Sequence, residues 1–196
     1  KLVSNDLVAS FFWGKETDYN KSNLRLWLTD DVNGIYNATI PNIEHFLVKT
    51  NFTIDKLTES NVEKGDEVYS DYVTTLSLYD YNLAGGKSSY LYDGKMHYLL
   101  GTNEDNEVLY TTEDGSILSC DGLEGYGIKS VITLKTNTPV KSGDGTKDNP
   151  YVIEQLSKTN YVDAYVKLGE DMWKVSHDVK GEVIRLYKVG YVTMNG

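Results

Sequence analysis

Residues 126–135, YGIKSVITLK, decide the fold. Aromatic and β-branched residues crowd this decamer, which reads as the strongest single strand in the chain. Downstream, 142–150 (SGDGTKDNP) is a turn that returns the chain to Tyr151, Val152 and Ile153. Upstream, 95–100, 108–112 and 116–119 read as strands separated by the turn clusters 101–106 and 113–115. The last forty residues read as strands at 161–168, 172–176 and 182–189, the final pair joined at Asp178-Val179-Lys180-Gly181.

Helical signals lie earlier. Ser22 has the character of an N-cap, and Leu24, Trp27, Leu28, Val32, Ile35 and Tyr36 follow at spacings of three and four. Residues 40–61 suggest a second short helix followed by an irregular segment, and 59–71 carries five acids in what reads as a solvated loop. Ser77 and Asp80 form a capping-box pattern that starts a short helix at Leu78, stopped by Gly85 and Gly86. Helices early, strands late and no βαβ alternation predict an α+β domain, a largely antiparallel sheet with two or three short helices packed on it.

Composition narrows the partners. The 196 residues include 29 acidic and 19 basic ones, a net charge of −10 without a basic cluster, which repels nucleic acid and anionic membrane surfaces. No apolar run approaches the roughly 20 residues that span a bilayer, so no membrane insertion is expected from these residues. The chain opens at Lys1 with no signal-peptide pattern, and any export signal is expected to lie outside it. Cys120 stands alone, so it makes no internal disulfide and builds no zinc site, and it reads as a half-buried filler. The 16 tyrosines against 4 phenylalanines and 3 tryptophans suit a pleated surface that is wet on one side.

Catalytic motifs fail one by one. Gly85-Gly86-Lys87-Ser88 imitates the end of a phosphate loop, but Tyr81 stands where its first glycine belongs. His45, His97 and His177 have no metal spacing, and no GxSxG elbow occurs. Two acidic turns, 103–107 and the one holding Asp144, Asp148 and Asn149, carry ligand types that suit calcium but match no EF-hand pattern, and both read as polar hairpin tips. No cofactor is expected; calcium is the one ion these turns leave open.

Four blocks, 18–28 (DYNKSNLRLWL), 72–81 (YVTTLSLYDY), 126–135 and 142–151 (SGDGTKDNPY), carry a resemblance. In them the chain resembles the uncharacterised extracellular domains of Gram-positive bacteria, many from Firmicutes, that often follow a prepilin-type segment and look related to the C-type-lectin-like superfamily. The resemblance implies a C-type-lectin-like fold over residues 1–160. It also implies an extracellular place on the bacterial cell surface. In that family a hairpin like 165–186 comes first, whereas here it comes last, which implies that 161–196 completes the sheet or starts a next repeat unit. The calcium-lectin triplets Glu-Pro-Asn, Gln-Pro-Asp and Trp-Asn-Asp are absent, and the paired cysteines of the sulfatase-modifying enzymes are missing.

The leading expectation is a non-catalytic surface or pilus-associated module in adhesion or assembly, binding a glycan or a host or cell-surface protein. Its expected ligand-binding residues are Trp13, Tyr90, Tyr92, Asn103, Asp105 and Asn106, rings for stacking and amides or carboxylates for hydrogen bonds. Two alternatives stand beside it: a purely structural spacer that pairs with neighbouring copies of the domain through the terminal hairpin, and a glycan hydrolase built on a carboxylate pair.

Overall fold

The computed structural model describes residues 1–36 and 46–153, together with the backbone of three strands at 165–168, 171–179 and 183–188. The chain divides into two compact units, Lys1–Ile153 and Glu154–Gly196.

The decamer 126–135 does not run as one strand. It breaks at Lys129 into β12 (Gly125–Ile128) and β13 (Ser130–Leu134). β12 pairs antiparallel with β2 (Ala9–Phe12), Tyr126 opposite Phe11. β13 takes β1 (Leu2–Val3) on one side and β8 (Val73–Thr75) on the other, so that Leu2 and Val73 both meet Ile132. Further along, β13 pairs with β3 (Leu47–Val48). Lys129 sits at the break because its groups are claimed sideways. Its carbonyl accepts from the Leu76 amide and the Thr75 hydroxyl, each at 3.1 Å, and its buried ammonium lies 2.9 Å from Asp93.

The second sheet has the order β11 (Ile117–Cys120), β10 (Val108–Thr111), β9 (Tyr98–Thr102), β5 (Asp55–Leu57), β6 (Val62–Glu63). β9 to β11 form the antiparallel meander that the turn clusters predict. β5 joins β9 in parallel, a pairing that nothing local in the sequence signals. β4 (Thr50–Thr53) pairs with β7 (Val68–Asp71), and β14 (Val140–Ser142) with β15 (Val152–Ile153) across the 142–150 turn. The architecture is β-rich and largely antiparallel. Residues 46–71 differ from the expectation of a helix, an irregular segment and a loop: from Leu47 on, the described residues alternate between short strands and turns. The expected start of that second helix, 40–45, lies outside the described residues.

Two short α-helices lie wholly among the described residues, and Ile35 and Tyr36 are helical as well. In α1 (Asn23–Thr29) the Ser22 hydroxyl accepts from the Arg25 amide at 3.1 Å, as an N-cap does. The helix ends earlier than the apolar spacing predicts. Asp30 Oδ1 accepts from the amides of Val32 and Asn33 at 2.8 and 3.1 Å, a local turn that competes with helix continuation and leaves Val32 exposed. Ser22→Ala is expected to cost about 1 kcal/mol in denaturant unfolding, the usual value of a lost cap. In α2 (Leu78–Leu83) Ser77 Oγ accepts from the Asp80 amide at 3.0 Å. Gly85 and Gly86, at φ +106° and +58°, then turn the chain left-handed, so this sequence is a helix stop.

Two clusters make the core of the first unit. Trp13, Tyr19, Leu24, Leu28, Tyr98 and Ile128 belong to one; Leu76, Leu78, Tyr81, Leu99, Leu109 and Val131 belong to the other. Cys120 closes the edge of the first, and burial pushes its thiol up to about 11 from an ordinary 9.0. It is therefore expected to react slowly with a disulfide reagent at neutral pH and to react rapidly once the chain is unfolded in denaturant.

In the second unit, β16 (Tyr165–Leu168), β17 (Asp171–Val179) and β18 (Val183–Lys188) form a three-stranded antiparallel sheet. β17 and β18 pair up to Val179 opposite Val183, so Asp178 and Val179, expected in the turn, extend the strand instead, and residues 180–182 lie outside the described residues.

Candidate functional site

The six residues that the sequence singles out do not come together. Trp13 is 0% exposed, its ring tilted against Tyr19 and Tyr98 at centroid distances of 5.8 and 5.7 Å. That burial corrects the expectation of an open stacking ring: the largest apolar side chain in the segment has been used by the core. Tyr90 is 89% exposed and Tyr92 half-buried, its hydroxyl donating to the Glu113 carbonyl at 2.6 Å. Asn103, Asp105 and Asn106 occupy the β9–β10 turn, which lies at the opposite end of β10 from Glu113.

That turn satisfies itself. Asn103 Oδ1 accepts from the Glu107 amide at 2.8 Å, its Nδ2 donates to Glu107 Oε2 at 2.9 Å, and the Ser119 hydroxyl donates to the same oxygen at 2.6 Å. Asn106 adopts φ 63°, the left-handed conformation that asparagine tolerates in tight turns. The side-chain oxygens of Asn103 and Glu107 thus serve the hairpin, while Asp105 stands exposed at its tip. In the other acidic turn Asp144 Oδ1 accepts from the Thr146 amide and hydroxyl at 3.0 and 2.7 Å. Among the described residues no three His, Cys, Asp or Glu side chains gather as a metal centre needs.

A different place has the shape of a binding site. An open cleft of about 540 Å³ lies among β4, β5, β6, β7 and the start of α2. This volume falls within the ~300–1,000 Å³ typical of small-ligand pockets. Phe52, Val62 and Val68 supply its apolar lining, Tyr79 an exposed ring, and Asn51, Lys64 and Asp55 its polar groups. Asp55 is its one acid among the lining residues, so the cleft holds no carboxylate pair of the kind glycoside hydrolysis uses.

Asp55 is itself built in. It is 3% exposed, and its Oδ1 accepts from the Thr53 hydroxyl at 2.6 Å and from the Gly65 amide at 3.2 Å. These two bonds tie the end of β4 to the turn after β6. The turn needs glycine, because a Cβ at Gly65 would sit 2.2 Å from the Ile54 carbonyl oxygen. The carboxylate therefore holds Lys64 at the rim of the cleft. Neither Asn51 nor Lys64 has a side-chain hydrogen bond or ion pair among the described residues, whereas Lys1, also at the rim, is paired with Asp80 at 2.8 Å.

Sequence reasoning missed this site. Asp55 lies in a stretch read as irregular, and Lys64 in a run read as solvated. The signal that was present is the alternation Phe52-Thr53-Ile54-Asp55, which places an acid on the same face as a threonine in a β-prone segment. Asp71, the last acid of the same run, is also buried. It pairs in two-pronged fashion with Arg25 of α1, Nε to Oδ2 and Nη2 to Oδ1 both at 3.0 Å, and thereby fixes β7 against the helix.

No protein-family model, no curated protein and no solved structure matches the chain.

Proposed function

We propose that the chain is a non-catalytic recognition module, displayed at a bacterial cell surface or on a pilus-like fibre, that serves adhesion or assembly by holding a ligand in the cleft beside β4 and β5. The observation that carries this reading is one open cleft that brings together an exposed tyrosine, apolar side chains, and Asn51 and Lys64, whose side chains have no partner among the described residues. A concavity lined by apolar side chains, with a few polar groups left to solvent, is the arrangement that suits a ligand. The lone buried acid supports binding over hydrolysis. Labelled protein applied to a broad glycan array and to bacterial and host cell-surface preparations tests the reading. Retention abolished by Tyr79→Ala is expected; a chain retained on none of these surfaces overturns it.

A second reading, a structural spacer, is supported by the separate compact unit at Glu154–Gly196, whose three strands pair with one another. On this reading the terminal strands join neighbouring copies of the domain through their sheet edges.

A further inference from the structure

The donors and acceptors of the cleft narrow the chemistry of what it holds. Lys64 offers three donors and no acceptor, and the Asn51 amide offers both. The decisive group is Asp55. Its Oδ1 is saturated by Thr53 and Gly65, while its Oδ2 has no hydrogen-bond partner among the described residues. Nor is Oδ2 among the buried polar atoms sealed without a partner, which are Trp13 Nε1 and Tyr19 Oη. Oδ2 is thus the part of this 3%-exposed residue that opens on the cleft. A carboxylate oxygen held in place through its twin and open to the cleft accepts from water when the cleft is empty and is positioned to accept from a ligand hydroxyl or N–H.

Charge decides between the candidate ligands. An anionic ligand would face the Asp55 carboxylate inside the cleft and a chain of net charge −10 outside it. A simple cation would face the ammonium of Lys64, which has no ion pair among the described residues. A neutral polyol avoids both penalties and supplies adjacent hydroxyls for Oδ2, Lys64 and Asn51 together. The exposed ring of Tyr79 adds an apolar face for the C–H side of such a ligand.

We infer that the cleft binds a neutral pyranose sugar: one hydroxyl donates to Asp55 Oδ2, neighbouring oxygens accept from Lys64 and Asn51, and the ring lies against Tyr79. This rests on the recognition reading above and specifies its ligand class.

The test is isothermal titration of the whole chain with neutral trisaccharides ending in glucose, galactose or N-acetylglucosamine, and with a glucuronate-ended counterpart. Asp55→Asn is the informative variant. The amide oxygen still accepts from Thr53 and Gly65, while the atom facing the cleft changes from acceptor to donor. At least one neutral sugar is expected to bind, and Asp55→Asn to weaken it roughly tenfold or more, as loss of a charged hydrogen bond does. Tyr79→Ala, at an exposed position that cannot unfold the core, is expected to weaken the same sugar, so the inference stays testable should Asp55→Asn fail to fold. Unchanged affinity in both folded variants overturns the inference. So does preference for the glucuronate-ended sugar. Retention on cell surfaces with no neutral sugar bound overturns this inference and leaves the recognition reading standing; no retention on any surface removes both.

Discussion

Trp13→Ala is expected to lower the thermal unfolding midpoint of the first unit by roughly 10 °C, read by circular dichroism. The indole is wholly buried between Tyr19 and Tyr98, and removing so large a core side chain costs about 3–5 kcal/mol. Each kcal/mol moves the midpoint of a domain of this size by about 2–4 °C. The Trp13 carbonyl accepts from the Leu24 amide at 3.1 Å and its amide donates to the Tyr98 hydroxyl at 3.4 Å, backbone bonds that alanine keeps, so the loss reports the packing of the indole. Tyr90→Ala, at a ring that packs on little, is the control and is expected to leave the midpoint within a degree or so.

Asp93→Ala is the second large effect, expected to destabilise by about 3 kcal/mol in urea unfolding at neutral pH. The Lys129 side chain is 4% exposed and that of Asp93 24%, so removing the carboxylate strands an ammonium that water scarcely reaches. Lys129→Met is expected to cost less, because it leaves behind the partner that solvent can still reach. The pH dependence has a definite sign. Burial pushes the Asp93 carboxyl up, but the hydrogen bond and charge of Lys129 outweigh it and hold the group below its ordinary 3.8. A depressed folded value means stabilisation that is complete above about pH 4 and is lost as pH falls through the folded value. The wild-type chain and Asp93→Ala are therefore expected to converge in acid. A difference that persists undiminished well below that pH would show that Asp93 acts by packing and not by charge.

What was legible in the sequence is what short-range chemistry dictates. Ser22 and Ser77 cap their helices because a hydroxyl three residues before a free amide has one good partner. Gly85-Gly86 turns the chain through backbone freedom, and the 113–115 cluster through Gly115 at φ 78° together with the Asp114 carboxylate, which accepts from the Ser116 amide at 3.1 Å. The antiparallel meander of β9 to β11 follows from such turns. Illegible were the features settled at a distance. The parallel seat of β5 against β9 depends on residues more than forty positions apart, and the break at Lys129 depends on Asp93 and Thr75. A period of two is the same on both sides of such a break, so alternation cannot report it. The candidate site failed for the same reason: aromatic and polar residues were weighed by type, but burial took Trp13 into the core and Asp55 into a cleft that only tertiary pairing creates.

The split decamer also bears on when this fold can form. Ser4 and Ser130, 126 positions apart, exchange hydrogen bonds, the Ser4 amide to the Ser130 carbonyl at 2.8 Å and the Ser130 amide to Ser4 Oγ at 3.0 Å. The first strands synthesised thus have no partners until nearly the last strand of the core sheet has been made, an interval on the order of ten seconds at ordinary ribosomal speed. During that time β1 and β2 are unpaired apolar edges, the kind of segment that chaperones hold apart. Closure is then a single late, long-range event with a high entropic barrier, and a chain of this topology is expected to fold slowly.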